Sequence, residues 1–345
     1  MLYISFLAKK KGEKAAFIDN LTLSLVLLVS ITFNLIIISY LVPTYRDFIV
    51  FPFDVLTLFF IIIFLPFFYL LIRREKKKIK KKKVSHDEIT PPVPKELPLK
   101  YEIYRKLTHL VLLGIILFYF TLGFIFKNFL IYLLDFTPKF ASDIFYSIYN
   151  IEDDIMIFTQ YLVVFLVAIS LFGLLTADFV RILKPEIYPL KPVNKILREK
   201  ERYHMRLGPQ ISMAVGCFSV IILFGLFQPI GPLVICTSMT MAIFGDVASN
   251  LIGRTIGPKY KNIRDTKKTY IGLLAGILGS FFSGLVILVI LSGFYQLILI
   301  GFFLIPLVGA IIIGLLDYMD LEIDDNLSFI LVTTTVLFFI AIFLI

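Results

Sequence analysis

The stretch FGDVASNLIGRTIGPKYKNIRDTKKTYIGLLAG, residues 244–276, leaves one apolar run carrying an acid, crosses a short polar loop, and re-enters a second apolar run. That pattern is two membrane-crossing helices joined by a turn, and the fold of the whole chain follows from repeating it. Asp246, Ser249, Asn250 and Gly253 fall at i, i+3, i+4 and i+7 and share one helical face. Arg254, Lys259, Lys261, Arg264, Lys267 and Lys268 follow within fifteen residues, opposed only by Asp265. One acid at a membrane edge beside glycines and cations suits a metal-bound polyphosphate. The carboxylate offers oxygen to Mg²⁺, while cations and free backbone N–H groups suit phosphate. The plainer alternative is an ordinary positive loop between two spans.

Composition supports the same class. The chain has 345 residues, 59% of them hydrophobic and 17% charged, more apolar side chain than a soluble domain of this length can bury. Its apolar runs are long enough for helices and do not alternate as barrel strands do. The expectation is an all-α integral membrane protein, a polytopic bundle of about nine transmembrane helices. The candidate spans are 21–42, 49–72, 107–126, 155–177, 211–227, 233–252, 271–293, 295–316 and 327–345. The fifth is the shortest, and Pro229 and Pro232 separate it from the sixth, so these two also fit one re-entrant hairpin. Gly272, Gly276, Ser280 and Gly284 form a small-residue ladder suited to close helix packing. The first run is too long for a signal-peptide core and lacks a small-residue cleavage site. Cys217 and Cys236 both lie in apolar runs and indicate neither a disulfide framework nor a zinc site.

Charge orients the array. Basic segments at Lys9–Lys14, Arg73–Lys83, Asp178–Arg206 and Arg254–Lys268 alternate with poor or acidic ones such as Lys127–Asp154. The positive-inside rule then places the N-terminus and the motif loops in the cytoplasm and the C-terminus outside. Residues 1–100 read as an accessory two-helix region ending in a basic and Pro-rich linker, and 101–345 as the main membrane domain. The Lys run, followed by Pro91, Pro92, Pro94 and Pro98, suits anionic lipid headgroups or serves only to set topology. No aromatic platform accompanies it, so nucleic acid is not an expected partner.

Further polar signals cluster on the same side. Arg105 and His109 lie one turn apart at the mouth of the third span and suit a phosphate, or simply an interface. Arg198 and Glu201, with Gly208 beyond, belong either to an amphipathic interfacial helix or to a phosphate site. Asp317, Asp320, Glu322, Asp324, Asp325 and Asn326 fall within ten residues without a cation. Capping of the last span accounts for one of these acids; a divalent cation accounts for more.

Taken together, these residues resemble a known family. Gly245-Asp246-x-x-Ser249-x-x-x-Gly253-Arg254-x-x-Gly257, then Lys267-Lys268-Thr269 and Gly272, looks like the signature of the dolichol kinase and phytol kinase family. These are CTP-dependent polyprenol kinases related in this region to phosphatidate cytidylyltransferases. The resemblance extends to Arg105-Lys106-Leu107-Thr108-His109, to Arg198, Glu201 and Gly208, and to Asp324-Asp325-Asn326, covering roughly 101–345. It implies transfer of the γ-phosphoryl group of CTP to a lipid alcohol within the bilayer. Asp246 would be metal ligand or base; Arg254, Lys267 and Lys268 would hold phosphates, and Asp324, Asp325 and Asn326 would complete a Mg²⁺ site. Arg105, His109, Gly245, Ser249, Gly253, Gly257, Thr269, Arg198 and Glu201 would line the nucleotide. The chain departs from the family where Ile271 replaces a Glu and where Asp317 stands near the place of another. Two rivals stay open: a CDP-lipid synthase of the cytidylyltransferase kind, and a non-enzymatic transporter. Nearly charge-free mid-span sequence argues against the transporter.

Overall fold

The structure is a computed structural model that describes residues 1–36, 54–82, 98–143, 155–198, 201, 205–264, 266 and 268–344. Among these residues every regular element is helical, and a lone bridge between Asn262 and Thr269 pins the loop after Arg254. The α-helices are α1 (Leu2–Lys10), α2 (Lys14–Ile36), α3 (Asp54–Lys82), α4 (Leu99–His109), α5 (Leu113–Leu117) and α6 (Gly123–Asp135). They continue as α7 (Ile155–Leu183), α8 (Pro209–Phe224), α9 (Ile230–Thr255), α10 (Tyr270–Leu291), α11 (Gly301–Met319) and α12 (Asp325–Ala341). One 3-10 turn and one π turn join α4, α5 and α6 into a single run, Leu99–Asp135.

Seven helical segments among the described residues are long and apolar enough to cross a membrane. They coincide with seven of the nine expected spans. The other two fall on α8, of 16 residues, and α12, of 17 residues. At 1.5 Å per residue these reach about 24–26 Å, short of a hydrocarbon core of about 30 Å. Nine is therefore not shown by length, and seven is. The short α8 is not peripheral: it is buried from Ile211 to Ile222 and enclosed by α2, α7, α9 and α12. A helix apolar all round is what such an enclosed position demands. The first hundred residues, read as accessory, contribute α2 to this enclosure. Pro91, Pro92, Pro94, Lys83, Lys267 and the acidic residues Glu152–Asp154 lie outside the described residues.

The closest pairing is α9 against α10, and small residues make it. Met241 faces Gly284, Gly245 faces Ser280, Ser249 faces Gly276 and Gly253 faces Gly272, each step moving four residues along one helix and four back along the other. A methyl group on Gly276 would lie 3.0 Å from Ser249 Cβ and 3.3 Å from the Gly245 carbonyl oxygen. Lipid tails are as apolar as leucine, so this contact is held by van der Waals packing rather than by escape from water. Thr269 caps α10 by accepting from the Gly272 N–H at 3.2 Å. Gly245, Gly253, Gly257 and Thr269, expected to line a nucleotide, thus serve the α9–α10 seam and its turn.

The described parts of the basic segments come to one end of the bundle. There α2, α4, α8, α10 and α12 begin, while α7, α9 and α11 end. The basic tail of α3 reaches the same end, where Glu75 meets Lys191 at 3.7 Å. Gly276→Leu should force α9 and α10 apart, an overpacking cost of about 1–3 kcal/mol. A detergent thermal melt should show a clear fall for this variant and none for Gly114→Ala, whose added methyl meets nothing within 4 Å.

Candidate functional site

α4 and α9 carry the polar faces that meet at this end. Glu102, Lys106 and His109 occupy one side of α4, and Asp246 and Asn250, one turn apart, occupy one side of α9. The Lys106 ammonium donates to Asp246 Oδ2, and Asn250 Nδ2 donates to Asp246 Oδ1 at 2.7 Å and to its carbonyl at 2.9 Å. His109 Nδ1 stands 3.6 Å from Asp246 Oδ2, too far for a hydrogen bond, and neither ring nitrogen of this buried histidine has a hydrogen-bond partner. Desolvating a charge pair costs several kcal/mol per ion, and only complete hydrogen bonding offsets it. The unspent donor and acceptor capacity of His109 therefore faces the Asp246 carboxylate.

Beside this pair Glu102 gathers three guanidinium groups. Its carboxylate accepts from Arg105 one turn away, meets Arg198 at 3.0 Å, and faces Arg254 at 3.5 Å. Glu201 faces Arg105 at 3.6 Å and accepts the Arg198 N–H at 2.9 Å. The three arginines come from α4, from the loop before α8, and from the end of α9. Only a fold that brings those elements to one end can assemble them. Planar guanidinium forks suit phosphate oxygens better than any other side chain.

A second cluster adjoins the first across α9. Lys268 Nζ lies 2.9 Å from Asp317, 2.9 Å from Asp320 and 3.5 Å from Asp325. Ser249, one turn beyond Asp246, donates to Asp317 Oδ2 at 3.0 Å. Asp320 reaches Lys268 because it closes α11 in the left-handed region, φ 49°. Burial lowers the Lys268 pKa, but the Asp325 and Asp317 carboxylates outweigh it and hold the ammonium above its usual range. Asp325 is pushed up to about 6 by burial, with the Asp324, Asp246 and Asp317 carboxylates adding to the effect and Lys268 opposing it. Three carboxylates thus share one ammonium.

The expected metal set does not form one cage. Asp246 is engaged by Lys106 and Asn250, and Asp325 faces Lys268. Asp324 caps α12 by accepting from the Asn326 N–H at 3.0 Å and from its side chain at 2.6 Å. Among the described residues no three His, Cys, Asp or Glu side chains gather as a ready-made metal site. Mg²⁺ takes one or two carboxylates and completes its shell with water and substrate phosphate. The hard-oxygen donors crowded around Lys268 fit such a partial site.

A buried clasp positions this end. Asp19 of α2 accepts from Arg206 Nε at 2.9 Å and from the backbone N–H of Asp324 at 3.0 Å, and Asn20 binds the backbone of Met205 and Leu207. Asp178 pairs with Arg181 and accepts the Gly208 N–H at 2.8 Å, and Arg181 donates to the Arg206 carbonyl at 2.9 Å. The start of α8 and the cap of α12 are thereby tied to α2 and α7.

Between α4 and α9 lies a groove of about 200 Å³. Leu99, Ile103, Leu107 and Leu110 form one wall, and Phe244, Val247 and Leu251 the other. Leu107 is 49% and Leu251 42% exposed, on the flank of the bundle. Glu102, Lys106, Asn250 and Arg254 also contribute to its lining, which is almost wholly apolar, so the groove runs beside the ion cluster.

The structure brings together Arg105, His109, Arg198, Glu201, Asp246 and Arg254, and sets Ser249, Lys268 and Asp325 beside them. Lys267 lies outside the described residues. Sequence reasoning missed Glu102 and Asp19. The signal for Asp19 was an ionisable residue beside a membrane span; for Glu102 it was the i, i+3 spacing to Arg105. No known protein family, characterised protein or solved structure matches the chain. Asp19→Ala should strand Arg206 in the interior and cost on the order of 3–5 kcal/mol. The double change Asp19→Leu with Arg206→Met should recover more than half of that loss in a thermal melt.

Proposed function

We propose that the protein is a Mg²⁺-dependent phosphotransferase that moves the γ-phosphoryl group of a nucleoside triphosphate to a lipid alcohol at the cytoplasmic membrane face. CTP is the donor that the resemblance to polyprenol kinases implies. The observation that carries the reading is the apolar groove on the flank of the bundle, lined in part by Lys106 and Asn250, the two residues that donate to the Asp246 carboxylate. A lipid hydroxyl arriving along that groove would come beside the Asp246 carboxylate and a cluster of cations.

Phosphoryl transfer needs little covalent chemistry from the protein; positioning and charge neutralisation do most of it. The hydroxyl oxygen attacks the γ-phosphorus, the bond to the β-phosphate bridging oxygen breaks, and the nucleoside diphosphate leaves. Asp246 accepts the hydroxyl proton, with Lys106 and Asn250 holding the carboxylate in place. Arg105, Arg198, Arg254 and Lys268 hold phosphate oxygens, exchanging carboxylate partners for them. Asp325, with Asp324 beside it, would hold Mg²⁺, which when bound neutralises charge on the phosphates. This orientation puts the basic end of the bundle and the N-terminus in the cytoplasm and the C-terminus outside, where the alternation of charge also puts them. The rest of the basic α3 tail would rest against anionic headgroups.

The three arginines around Glu102 also favour a second reading, a CDP-lipid synthase, because a lipid phosphate acceptor needs cations of its own. One assay separates them. Purified protein in detergent, given γ-labelled CTP, Mg²⁺ and a panel of prenols, should label the lipid; label appearing in pyrophosphate from a phosphatidate acceptor would replace the kinase reading by the second. Asp246→Asn should lower turnover by about 10²–10⁴-fold, the range for loss of a general base. Because that change strands Lys106, it is paired with Asp246→Asn/Lys106→Met, which should recover the melting temperature and stay inactive. A fully active double variant would remove Asp246 from the chemistry.

A further inference from the structure

α1 has two apolar faces, and the bundle uses only one of them. On the inner face Ile4, Ser5 and Ala8 are buried, and Ser5 Oγ donates to the Phe17 carbonyl of α2 at 3.0 Å. The end of the helix is closed as well. Gly12, at φ 78°, lets its own N–H reach the Lys9 carbonyl at 3.0 Å and the Glu13 N–H reach the Ala8 carbonyl at 3.0 Å, a Schellman turn. The helix is therefore fixed against α2, yet its outer face holds Leu2, Tyr3 and Phe6 exposed. Lys9, Lys10, Lys11 and Lys14 follow, all exposed. Glu13, the one acid among them, accepts the Met205 N–H at 2.6 Å.

α2 is long and apolar enough to cross a membrane, and α1 lies against its first turns, at the level where a bilayer ends. Large apolar side chains followed by lysines suit the boundary between acyl chains and headgroups. Lysines close to that surface draw anionic lipid. We infer that α1 seats in the leaflet at the basic end of the bundle, gathers anionic phospholipid around Lys10, Lys11 and Lys14, and so steadies the segment Met205–Leu207. The route to that segment is short. Besides the Glu13 bond, Asn20 donates to the Met205 carbonyl at 2.7 Å and accepts the Leu207 N–H at 3.1 Å, and Asp19 holds Arg206. Arg198 and Glu201 stand just before this segment, so the charge of the leaflet reaches the arginine cluster through the start of α2. None of this depends on the phosphotransferase reading.

The chain contains no tryptophan, so Phe6→Trp places a single indole on the outer face of α1. Full-length protein with this change is put in phosphatidylcholine nanodiscs holding, as a minor component, a phospholipid brominated high on its acyl chains. Brominated phosphatidylglycerol should quench the indole about threefold or more strongly than brominated phosphatidylcholine at equal fraction. High salt, which screens exposed charges, should remove the preference, and so should Lys10→Gln/Lys11→Gln/Lys14→Gln. Inorganic phosphate at matched ionic strength should leave it unchanged. In hydrogen exchange of the unaltered protein, the Met205 and Leu207 amides should exchange about threefold or more slowly in discs with phosphatidylglycerol than without. The triple variant should lose that difference, and the salt comparison carries the test even where this variant does not fold. Equal quenching by the two lipids, no quenching by either, displacement by inorganic phosphate, or amides indifferent to lipid charge would overturn the inference.

Discussion

A lysine ammonium and an aspartate carboxylate held in contact inside a membrane bundle constrain everything around them. Lys106 and Asp246 sit on different helices, 140 positions apart in the chain. Each is costly to desolvate alone, so α4 and α9 must stay in register and the remaining lone pairs must be occupied. Asn250 fills one of those places, and the α9–α10 glycine seam holds the backbone that carries both. The seam is therefore not a separate feature. It fixes the helix on which the acid stands, and the cap at Thr269 then returns the chain so that Lys268 falls beside Asp317 and Asp325.

Much of this arrangement was legible in the sequence, and for physical reasons. An acid in an apolar run is expensive, so Asp246 was conspicuous. Alternation of basic and poor loops predicted that the motifs share one end, and Lys268 lies 3.5 Å from Asp325 in agreement. What was not legible depends on distance along the chain. Asp19 meets Arg206 across 187 positions, and no local spacing announces that pair. Glycines were ambiguous in another way. Gly245 and Gly253 suit close approach to a phosphate and close approach to a helix equally, and in the fold they face α10. The short α8 reads as a span or half of a re-entrant hairpin, and its enclosure by other helices was not legible because apolar surroundings of either kind select the same residues.

The same end of the bundle also shows how charge is kept from being wasted. Glu102 and Glu201 hold three arginines assembled, and three acids hold Lys268. Each of these charges is partnered within the protein, and on the proposed function the partners are single charges that a polyphosphate and its metal would replace. Under the proposed phosphotransferase function such a site would be organised before substrate arrives, which is what catalysis by positioning requires. The clasp through Asp19 and Arg206 extends that order to the cap of α12, so α2 belongs to the support of the site.

The account depends most on the meeting of segments distant in sequence at one membrane face. Lys268→Cys with Asp325→Cys tests that directly in sealed vesicles, because the two native cysteines, Cys217 and Cys236, are buried and silent. A short membrane-impermeant bifunctional thiol-reactive reagent, such as a charged bis-methanethiosulfonate, should join the pair within one chain in high yield from one side of the membrane only. Labelling of the two positions from opposite sides, or failure to join them while each reacts singly, would contradict the account.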